Sequence, residues 1–268
     1  MPYTAVNGIN LHYQERGKGK PLLLVMGITA DLSVWEKHVS YWEQSYRCIL
    51  FDNRGVGLSD KPEGPYTTAQ MADDGAALLK ALNIPKAAVV GVSMGGAIAL
   101  QLAIRHSDLI ESMVLMCPWA SCDRKAEAIF KHMMHAKAHL RPEQFSNFLQ
   151  LLIFHKSTWD DDGEYNGLME GQKEAALAEM QQPLHGLEGQ AQACISHNVV
   201  ANLPDIKIPA LVIGGKEDQF IPEWMANEVA NGIPNSELHL YENAGHAFHW
   251  EKLEDFNPRV LNWLNENY

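Results

Sequence analysis

Uninterrupted apolar runs recur along the first third of the chain, and they restrict the folds that it can adopt. Pro21–Met26, Cys48–Phe51 and Ala87–Val92 are runs of this kind. A strand that is apolar at every position suits the centre of a parallel sheet, where both faces are buried. Helix-like segments alternate with these runs. This β-α-β-α order predicts an α/β protein with a doubly wound, mostly parallel sheet and right-handed crossovers.

The helix-like segments carry signals of their own. Leu32–Tyr41 has a helical pattern, and Thr68 is expected to cap a helix that runs to Leu82. Gly95–Arg105 is rich in small residues and comes shortly after a predicted strand. Ile110–Met116 is predicted to be the next strand, and it closes the first series of strands and helices.

The alternation stops at Pro118 and resumes with a strand predicted over Ala210–Ile213. Between these points the pattern is helical and strand signals are few. Such an insertion between two parts of one sheet is expected to lie over the carboxyl edge of that sheet as a cap. We therefore predict a core domain and a helical cap subdomain inserted after the sixth strand, with the core over residues 1–117 and 203–268 and the cap over 118–202.

The acidic balance of the chain limits its expected partners. Lysine and arginine number 21 against 33 aspartate and glutamate residues, a formal net charge of −12. Nucleic acids and anionic membrane surfaces need clustered basic residues, so neither is an expected partner. No apolar run approaches the roughly 18–20 residues that span a bilayer. The first residues also lack the basic start and apolar core of a signal peptide.

The cysteines show no metal-type C-x-x-C pairing. Buried free thiols are the expected state of most of them. Together with the missing leader, this predicts a cytoplasmic protein. The sequence leaves the oligomeric state open, and a homo-oligomer is compatible with it. The four cysteines are Cys48, Cys117, Cys122 and Cys194.

A glycine-flanked serine stands at the end of the strand predicted over Ala87–Val92. The segment is Gly91-Val92-Ser93-Met94-Gly95-Gly96, and a helix is predicted after it. The pattern G-x-S-x-G at a strand–turn–helix junction is typical of a nucleophile elbow, in which the glycines leave room for a strained serine. The helix N-terminus would direct N–H groups toward that serine. By itself, the motif also allows a phosphate-binding or purely structural turn.

A serine hydroxyl is a weak nucleophile until a base can take its proton, and we predict that His246 is this base. His246 follows the strand predicted over Glu237–Tyr241 and precedes a helix predicted over Leu253–Leu264. It should therefore lie at the carboxyl edge of the sheet, as Ser93 does. Other histidines fall within predicted strands or helices, where packing or surface roles are expected; these are His12, His38, His106 and His239.

Asp218 is predicted to orient the imidazole of His246 and to stabilise it when charged. It follows the strand over Ala210–Ile213 and so also lies at the carboxyl edge. The adjacent Glu217 is the alternative. Asp52 also ends a predicted strand, but we expect it to support the loop that contains Arg54.

Two backbone donors are needed where negative charge develops in acyl transfer. One is expected from Met94, the residue after the serine, and the other from Ile28. Gly27 precedes Ile28 and permits a tight turn after the strand, which places it beside the substrate as well.

With these residues the chain resembles the α/β-hydrolase superfamily over nearly its whole length. The order Ser93, Asp218, His246 is the order of this fold. The resemblance narrows toward a branch of small esterases and lactonases, including 3-oxoadipate enol-lactonases and aminoacrylate hydrolases. One departure is Met26 before Gly27, where relatives often carry histidine. The matching segments are Phe51–Asp60, Gly91–Gly96, Gly214–Asp218 and Gly245-His246, and for the branch Asn7–Tyr13 and Gly64–Thr67.

The substrate is expected to be a small, largely apolar ester or lactone. Trp119 begins near the predicted rim of the site and Phe248 lies two residues after His246, so both are expected to contact it. No cofactor or metal is expected. His132, His135 and His139 have helical spacing, but no acidic or cysteine partner completes a metal set.

The predicted function is therefore hydrolysis of carboxylic esters or lactones through an acyl-enzyme. Three other uses of the same fold remain open, namely acyl transfer, lyase chemistry and cofactor-free perhydrolysis. A small-molecule sensor with little turnover is a further alternative.

Overall fold

The computed structural model of the protein describes residues 2–178 and 181–268, so residue 1 of the predicted core and residues 179–180 of the predicted cap lie outside it. Within the described residues an eight-stranded sheet has the order β1-β2-β4-β3-β5-β6-β7-β8. The strands are β1 Tyr3–Val6, β2 Ile9–Arg16, β3 Lys20–Val25, β4 Tyr46–Phe51, β5 Ala87–Val92, β6 Ile110–Met116, β7 Ala210–Gly215 and β8 Ser236–Tyr241.

The pairing of the strands confirms the predicted fold class. β2 pairs antiparallel with β1 and with β4, whereas all strand pairs from β4 through β8 are parallel. Along β3, Leu23 and Val25 pack into the core on one face of the sheet, and Leu22 and Leu24 pack into the core on the other. Burial on both faces explains why this strand is apolar from Pro21 to Val25.

Helices connect the strands. They are α1 Glu36–Trp42, α2 Thr68–Ala81, α3 Met94–Arg105, α4 Arg124–His139, α5 Pro142–Ile153, α6 Lys156–Asp160, α7 Asp162–Leu177, α8 Leu184–Ser196, α9 Glu223–Gly232, α10 Phe248–Glu251 and α11 Leu253–Asn267. A 3₁₀ turn over Leu32–Trp35 precedes α1, and another occupies Val200–Asp205. None of the helices in residues 2–178 and 181–268 is long and apolar enough to cross a membrane.

The predicted cap of α2 is wrong by one residue. Thr67, and not Thr68, accepts the hydrogen bond of the Gln70 N–H. The Thr68 hydroxyl instead bonds to His197 Nδ1 at 2.8 Å, and Thr68 is buried. Two adjacent threonines look alike in the sequence, and the tertiary contact of the second one decides between them.

The helices α4 to α8 lie between β6 and β7, at the position where the sequence predicts the insertion. Phe130 of α4 packs against Phe220, in the loop after β7, with 5.2 Å between ring centroids. Ser121 and Asn198 form a β-bridge between the two ends of the insertion. The bridge joins the two ends of the insertion, and the Phe130–Phe220 contact connects the insertion to the loop after β7.

Candidate active site

Ser93 occupies a strained turn between β5 and α3. Its φ of 56° lies in the left-handed region, which residues other than glycine rarely adopt. A Cβ added to Gly91 would overlap the carbonyl of Gly95, and one added to Gly95 would overlap the carbonyl of Val25. The two glycines of the motif are therefore required by close backbone packing around Ser93.

Asp218 and His246 come together at the carboxyl edge of the sheet. His246 Nδ1 lies 2.7 Å from Asp218 Oδ2, and both residues are buried. Asp218 Oδ1 accepts the N–H groups of Phe220 and Ile221, each at 2.8 Å. These two bonds fix the carboxylate so that its other oxygen serves His246. The alternative acid, Glu217, accepts the N–H of Ala244 instead.

The electrostatics of the pair favour a charged imidazole. Burial disfavours the charge, but the carboxylate of Asp218 more than compensates, and the pKa of His246 is raised well above its usual 6.5. Burial also raises the pKa of the neighbouring Cys117 thiol, so this thiol is neutral at physiological pH. Asp218 is therefore the anion that stabilises a protonated His246.

The Ser93 hydroxyl has no hydrogen-bond partner among the described residues, although it is buried. His246 Nε2, the nitrogen that faces away from Asp218, lies 3.6 Å from Cys117 Sγ. Catalytic hydrogen bonds are often long or poorly aligned until the substrate binds. The arrangement leaves a free Ser93 hydroxyl in the same cavity as an imidazole whose Nε2 is bonded only to a thiol.

Backbone donors lie beside the serine. Met94 is the first residue of α3, where N–H groups have no acceptor within the helix. Gly27 and Ile28 line the cavity, and a Cβ on Gly27 would lie 3.3 Å from Ser93 Cβ. The following residue, Thr29, donates its N–H to Gln190 Oε1 at 3.1 Å. A side chain from α8 thus holds the loop that carries Ile28, a contact that the sequence does not predict.

A cavity of about 110 Å³ opens onto these groups. Its walls come from the strand-end loops, from α4 and α5, and from the segment after His246, and they are mostly apolar. The lining consists of Met26, Gly27, Ile28, Thr29, Ala30, Val92, Ser93, Met133, Leu149, Ile153, Phe220, His246, Ala247, His249 and Trp250. Apart from Ser93 and His246, the lining has few polar side chains, namely those of Thr29, His249 and Trp250.

Trp119 and Phe248 do not line the cavity, so the predicted contacts of these two side chains with substrate are wrong for this arrangement. Trp119 is 1% exposed and packs on Phe130 and His197, because a left-handed turn at Cys117 redirects the chain after β6. Phe248 is 0% exposed and stacks on Tyr241 inside the core. Phe220 and Trp250 stand in the lining instead.

One group of possible metal ligands occurs among the described residues. Ligand atoms of Cys117, Asp218 and His246 lie within 4.8 Å of one another. A metal coordinated by His246 Nδ1 would have to replace the 2.7 Å bond to Asp218, so the hydrogen-bonded arrangement is the better use of these residues. The helical histidines His132 and His135 are exposed on α4 and take no part in this group.

Comparison with known proteins gives a consistent result over almost the whole chain. A family model described as alpha/beta hydrolase fold matches residues 20–253. A Mycobacterium tuberculosis protein named "putative non-heme bromoperoxidase BpoC" is 33% identical over 266 residues, which cover 96% of this chain and 98% of the relative. An Azorhizobium caulinodans protein named "putative carbamate hydrolase RutD" is 26% identical over 269 residues, 99% of both chains.

Solved structures agree with the sequence comparison. The crystal structure of the enol-lactonase from Burkholderia xenovorans LB400 superposes with a TM-score of 0.89 and 26% identity, over 98% of this chain and 100% of that one. The similarity thus extends through the helical insertion as well as the sheet.

Proposed function

The chain belongs to the alpha/beta hydrolase fold family, and from this premise we propose that it is a metal-free serine hydrolase of carboxylic esters or lactones. The observation that carries the proposal is the meeting of Ser93, on its strained turn, with the hydrogen-bonded pair His246–Asp218 at one cavity. An enol-lactonase and a carbamate hydrolase among the similar proteins support hydrolysis of an acyl group.

The first half of the proposed reaction forms an acyl-enzyme. His246 Nε2 removes the proton of Ser93 Oγ while that oxygen attacks the substrate carbonyl. The carbonyl oxygen becomes an anion, which the N–H groups of Met94 and Ile28 stabilise. Asp218 holds the protonated imidazole through Nδ1. His246 then gives its proton to the leaving alcohol oxygen as the carbon–oxygen bond breaks.

The second half uses water. His246 removes a proton from a water molecule, and the hydroxide attacks the acyl carbon bound to Ser93. Collapse of the second tetrahedral intermediate releases the carboxylic acid, and the proton on His246 returns to Ser93 Oγ. The same Met94 and Ile28 donors serve this step, because the oxyanion forms at the same place.

The cavity supports a small and mainly apolar substrate. Its volume is about 110 Å³, and an apolar cavity of ~150 Å³ is known to accommodate benzene. Met133, Leu149 and Ile153 line it from helices α4 and α5. We propose that residues 118–202 act as a cap that determines the size of the acyl or alcohol group.

Perhydrolysis is a second candidate, and the 33% identity to a protein named as a bromoperoxidase favours it. Hydrogen peroxide would replace water in the attack on the same acyl-enzyme, and a peracid would leave in place of the acid. Product analysis with and without peroxide separates the two reactions. Hydrolysis is the main activity if acid formation still dominates when peroxide is abundant.

The proposal is tested by replacing the nucleophile. Ser93→Ala is expected to abolish turnover of p-nitrophenyl butyrate and labelling by a fluorophosphonate probe. Ser112→Ala is the matched control, because the Ser112 hydroxyl is also buried without a partner among the described residues but lies within β6 away from the cavity. Turnover that survives in Ser93→Ala, or a probe attached to a different residue, would refute the assignment.

A further inference from the structure

Three buried polar side chains form a hydrogen-bonded chain that ends at a cavity-lining residue, and the proposed reaction does not use this chain. Asn257 of α11, His38 of α1 and His249 of α10 are each at most 4% exposed. Asn257 Oδ1 lies 2.7 Å from His38 Nδ1, and His38 Nε2 lies 2.9 Å from His249 Nδ1. Residues from three separate helices thus form one continuous line of hydrogen bonds.

The donor and the acceptor of each hydrogen bond in this line follow from the orientation of the Asn257 amide. The carbonyl of Lys37 can only accept, and it lies 3.1 Å from Asn257 Nδ2. The amide of Asn257 must therefore turn its oxygen toward His38, whose Nδ1 has to donate. A neutral His38 then offers an unprotonated Nε2, and this nitrogen accepts the Nδ1–H of His249.

Both imidazoles are neutral at physiological pH. Burial lowers the pKa of His38 to about 4. Burial is the main cause that lowers the pKa of His249 well below 6.5, and a positive charge on His38 or His246 would lower it further. In a neutral ring with Nδ1 protonated, Nε2 carries a lone pair and only accepts. The chain therefore fixes His249 in a single tautomer.

His249 Nε2 is the other ring nitrogen of a side chain that borders the cavity. His249 lines it together with Ser93, and its Nε2 has no hydrogen-bond partner among the described residues. Thr29 is another polar residue in the lining, but its hydroxyl can donate as well as accept. His249 Nε2 is an acceptor alone, in surroundings that are mostly apolar.

We propose that His249 determines specificity by accepting a hydrogen bond from a hydroxyl or N–H group of the substrate. The favoured substrate is thus a small ester or lactone that carries such a donor close to its reacting carbonyl. His38 and Asn257 are positioning residues, because they act only through His249. This inference rests on the proposed function, which supplies the reacting carbonyl. A substrate without the donor would leave the His249 acceptor unpaired in a mostly apolar cavity, and discrimination of roughly 10- to 100-fold is expected.

Size-matched substrate pairs test the proposal. The acyl side is probed with p-nitrophenyl 2- and 3-hydroxybutyrate against the 2- and 3-methylbutyrates, and the alcohol side with 2-hydroxyethyl butyrate against propyl butyrate. The wild-type enzyme is expected to prefer at least one hydroxylated member in kcat/KM by roughly 10- to 100-fold. In His249→Phe this ratio should fall to near one, whatever the absolute rate. His239→Phe, outside the cavity on β8, should keep the wild-type ratio.

A second measurement keeps the proposal testable where the His249 variant is inactive. In ¹⁵N-histidine spectra of the whole enzyme, the Nε2 signal of His249 should be that of an unprotonated nitrogen, identified by its loss in His249→Phe. Asn257→Leu removes the fixed acceptor at the far end and should produce a mixture of tautomers. No preference in either substrate pair, or a protonated Nε2, would overturn the proposal. Failure of the probe to label Ser93 would instead refute the proposed function and leave the tautomer result intact.

Discussion

Two regions of the molecule hold a serine, a histidine and an aspartate in close proximity, and only one of them opens onto the cavity. In the first, His12 Nδ1 lies 2.7 Å from Asp52 Oδ2, with Ser59 alongside. In the second, His246 Nδ1 lies 2.7 Å from Asp218 Oδ2, near Ser93. All six residues are buried and the histidine–aspartate distance is the same in both regions, so neither property identifies a reactive site.

The serines differ most. Ser59 Oγ accepts the N–H of His12 at 2.9 Å and donates to the carbonyl of Asp52 at 2.6 Å. Its hydroxyl is therefore fully used in holding β2 to the loop after β4. Ser93 Oγ has no partner among the described residues. A free hydroxyl is available to a substrate, whereas a hydroxyl that already makes two hydrogen bonds is not.

The carboxylates differ in how they divide their donors. Asp218 receives two backbone N–H groups on Oδ1 and keeps Oδ2 for His246. Asp52 receives Leu32 N–H on Oδ1, and its Oδ2 is shared between His12 and Leu58 N–H. As predicted, Asp52 supports the loop that contains Arg54. Asp218 thus differs from Asp52 in having one carboxylate oxygen reserved for the imidazole.

The largest expected effect is the loss of kcat in Asp218→Asn, and Asp52→Asn is its counterpart in the other region. In Asp218→Asn the two backbone donors keep the amide oxygen, so the NH₂ group faces His246 and forces the proton onto Nε2. That tautomer cannot accept a proton from Ser93, and kcat should fall by roughly 10⁴-fold. Asp52→Asn should change kcat little but lower the free energy of unfolding by about 1–3 kcal/mol. Ester kinetics and urea unfolding of both variants measure the two effects.

An equal loss of kcat in the two aspartate variants would contradict the distinction between the regions. Comparison at a temperature where both remain folded is the necessary control, since unfolding of Asp52→Asn would otherwise imitate a catalytic effect. Circular dichroism on the assayed samples supplies that control.

The structural serine gives the next prediction. Ser59→Ala removes the acceptor of the His12 N–H and leaves a buried donor unpaired. The free energy of unfolding should fall by about 2 kcal/mol, while kcat/KM for p-nitrophenyl butyrate stays within about twofold of the wild-type value. Urea unfolding and steady-state kinetics measure both quantities. A tenfold loss of kcat/KM in this variant would mean that the first region contributes to the reaction.

A smaller effect is expected at the glycine beside the nucleophile. A Cβ at Gly27 would lie 3.3 Å from both Ser93 Cβ and the Val92 carbonyl, so the neighbours must move by a few tenths of an ångström. Gly27→Ala should therefore lower kcat by about tenfold through misplacement of the serine, with little change in stability. Gly167→Ala is the matched control, because no atom of the described residues lies within 4 Å of its added Cβ. Unchanged kcat in Gly27→Ala would show that the added Cβ does not displace Ser93.

The sequence predicts one of these regions better than the other, for physical reasons. Ser93, Asp218 and His246 each follow a strand, and parallel strands bring their carboxyl ends to one edge, so topology alone implies that they meet. The Ser59 cluster depends on side-chain directions within a loop, which no periodic pattern encodes. The positions of Trp119 and Phe248 were mispredicted for the same reason.

The contacts between cavity residues and distant segments of the chain could not be predicted from the sequence either. His249 is three residues from His246, and that spacing alone could have suggested a shared location. Its link to His38 and Asn257 joins positions more than 200 residues apart, which only the packing of α1 on the C-terminal helices reveals. The helical insertion was foreseen from its pattern, whereas the hold of Gln190 on the loop after β3 was not.

The pH dependence provides the last way to separate the two histidine–aspartate pairs. His246 accepts the Ser93 proton only as a neutral ring, so kcat/KM should fall as the pH drops through its pKa. Because Asp218 outweighs burial and raises this pKa, the acidic limb for a neutral ester should lie above pH 6.5. His12→Gln should leave the limb where it is, because His12 does not line the cavity. A limb below pH 6.5, or one that moves with His12, would show that the Asp218 carboxylate does not control the base.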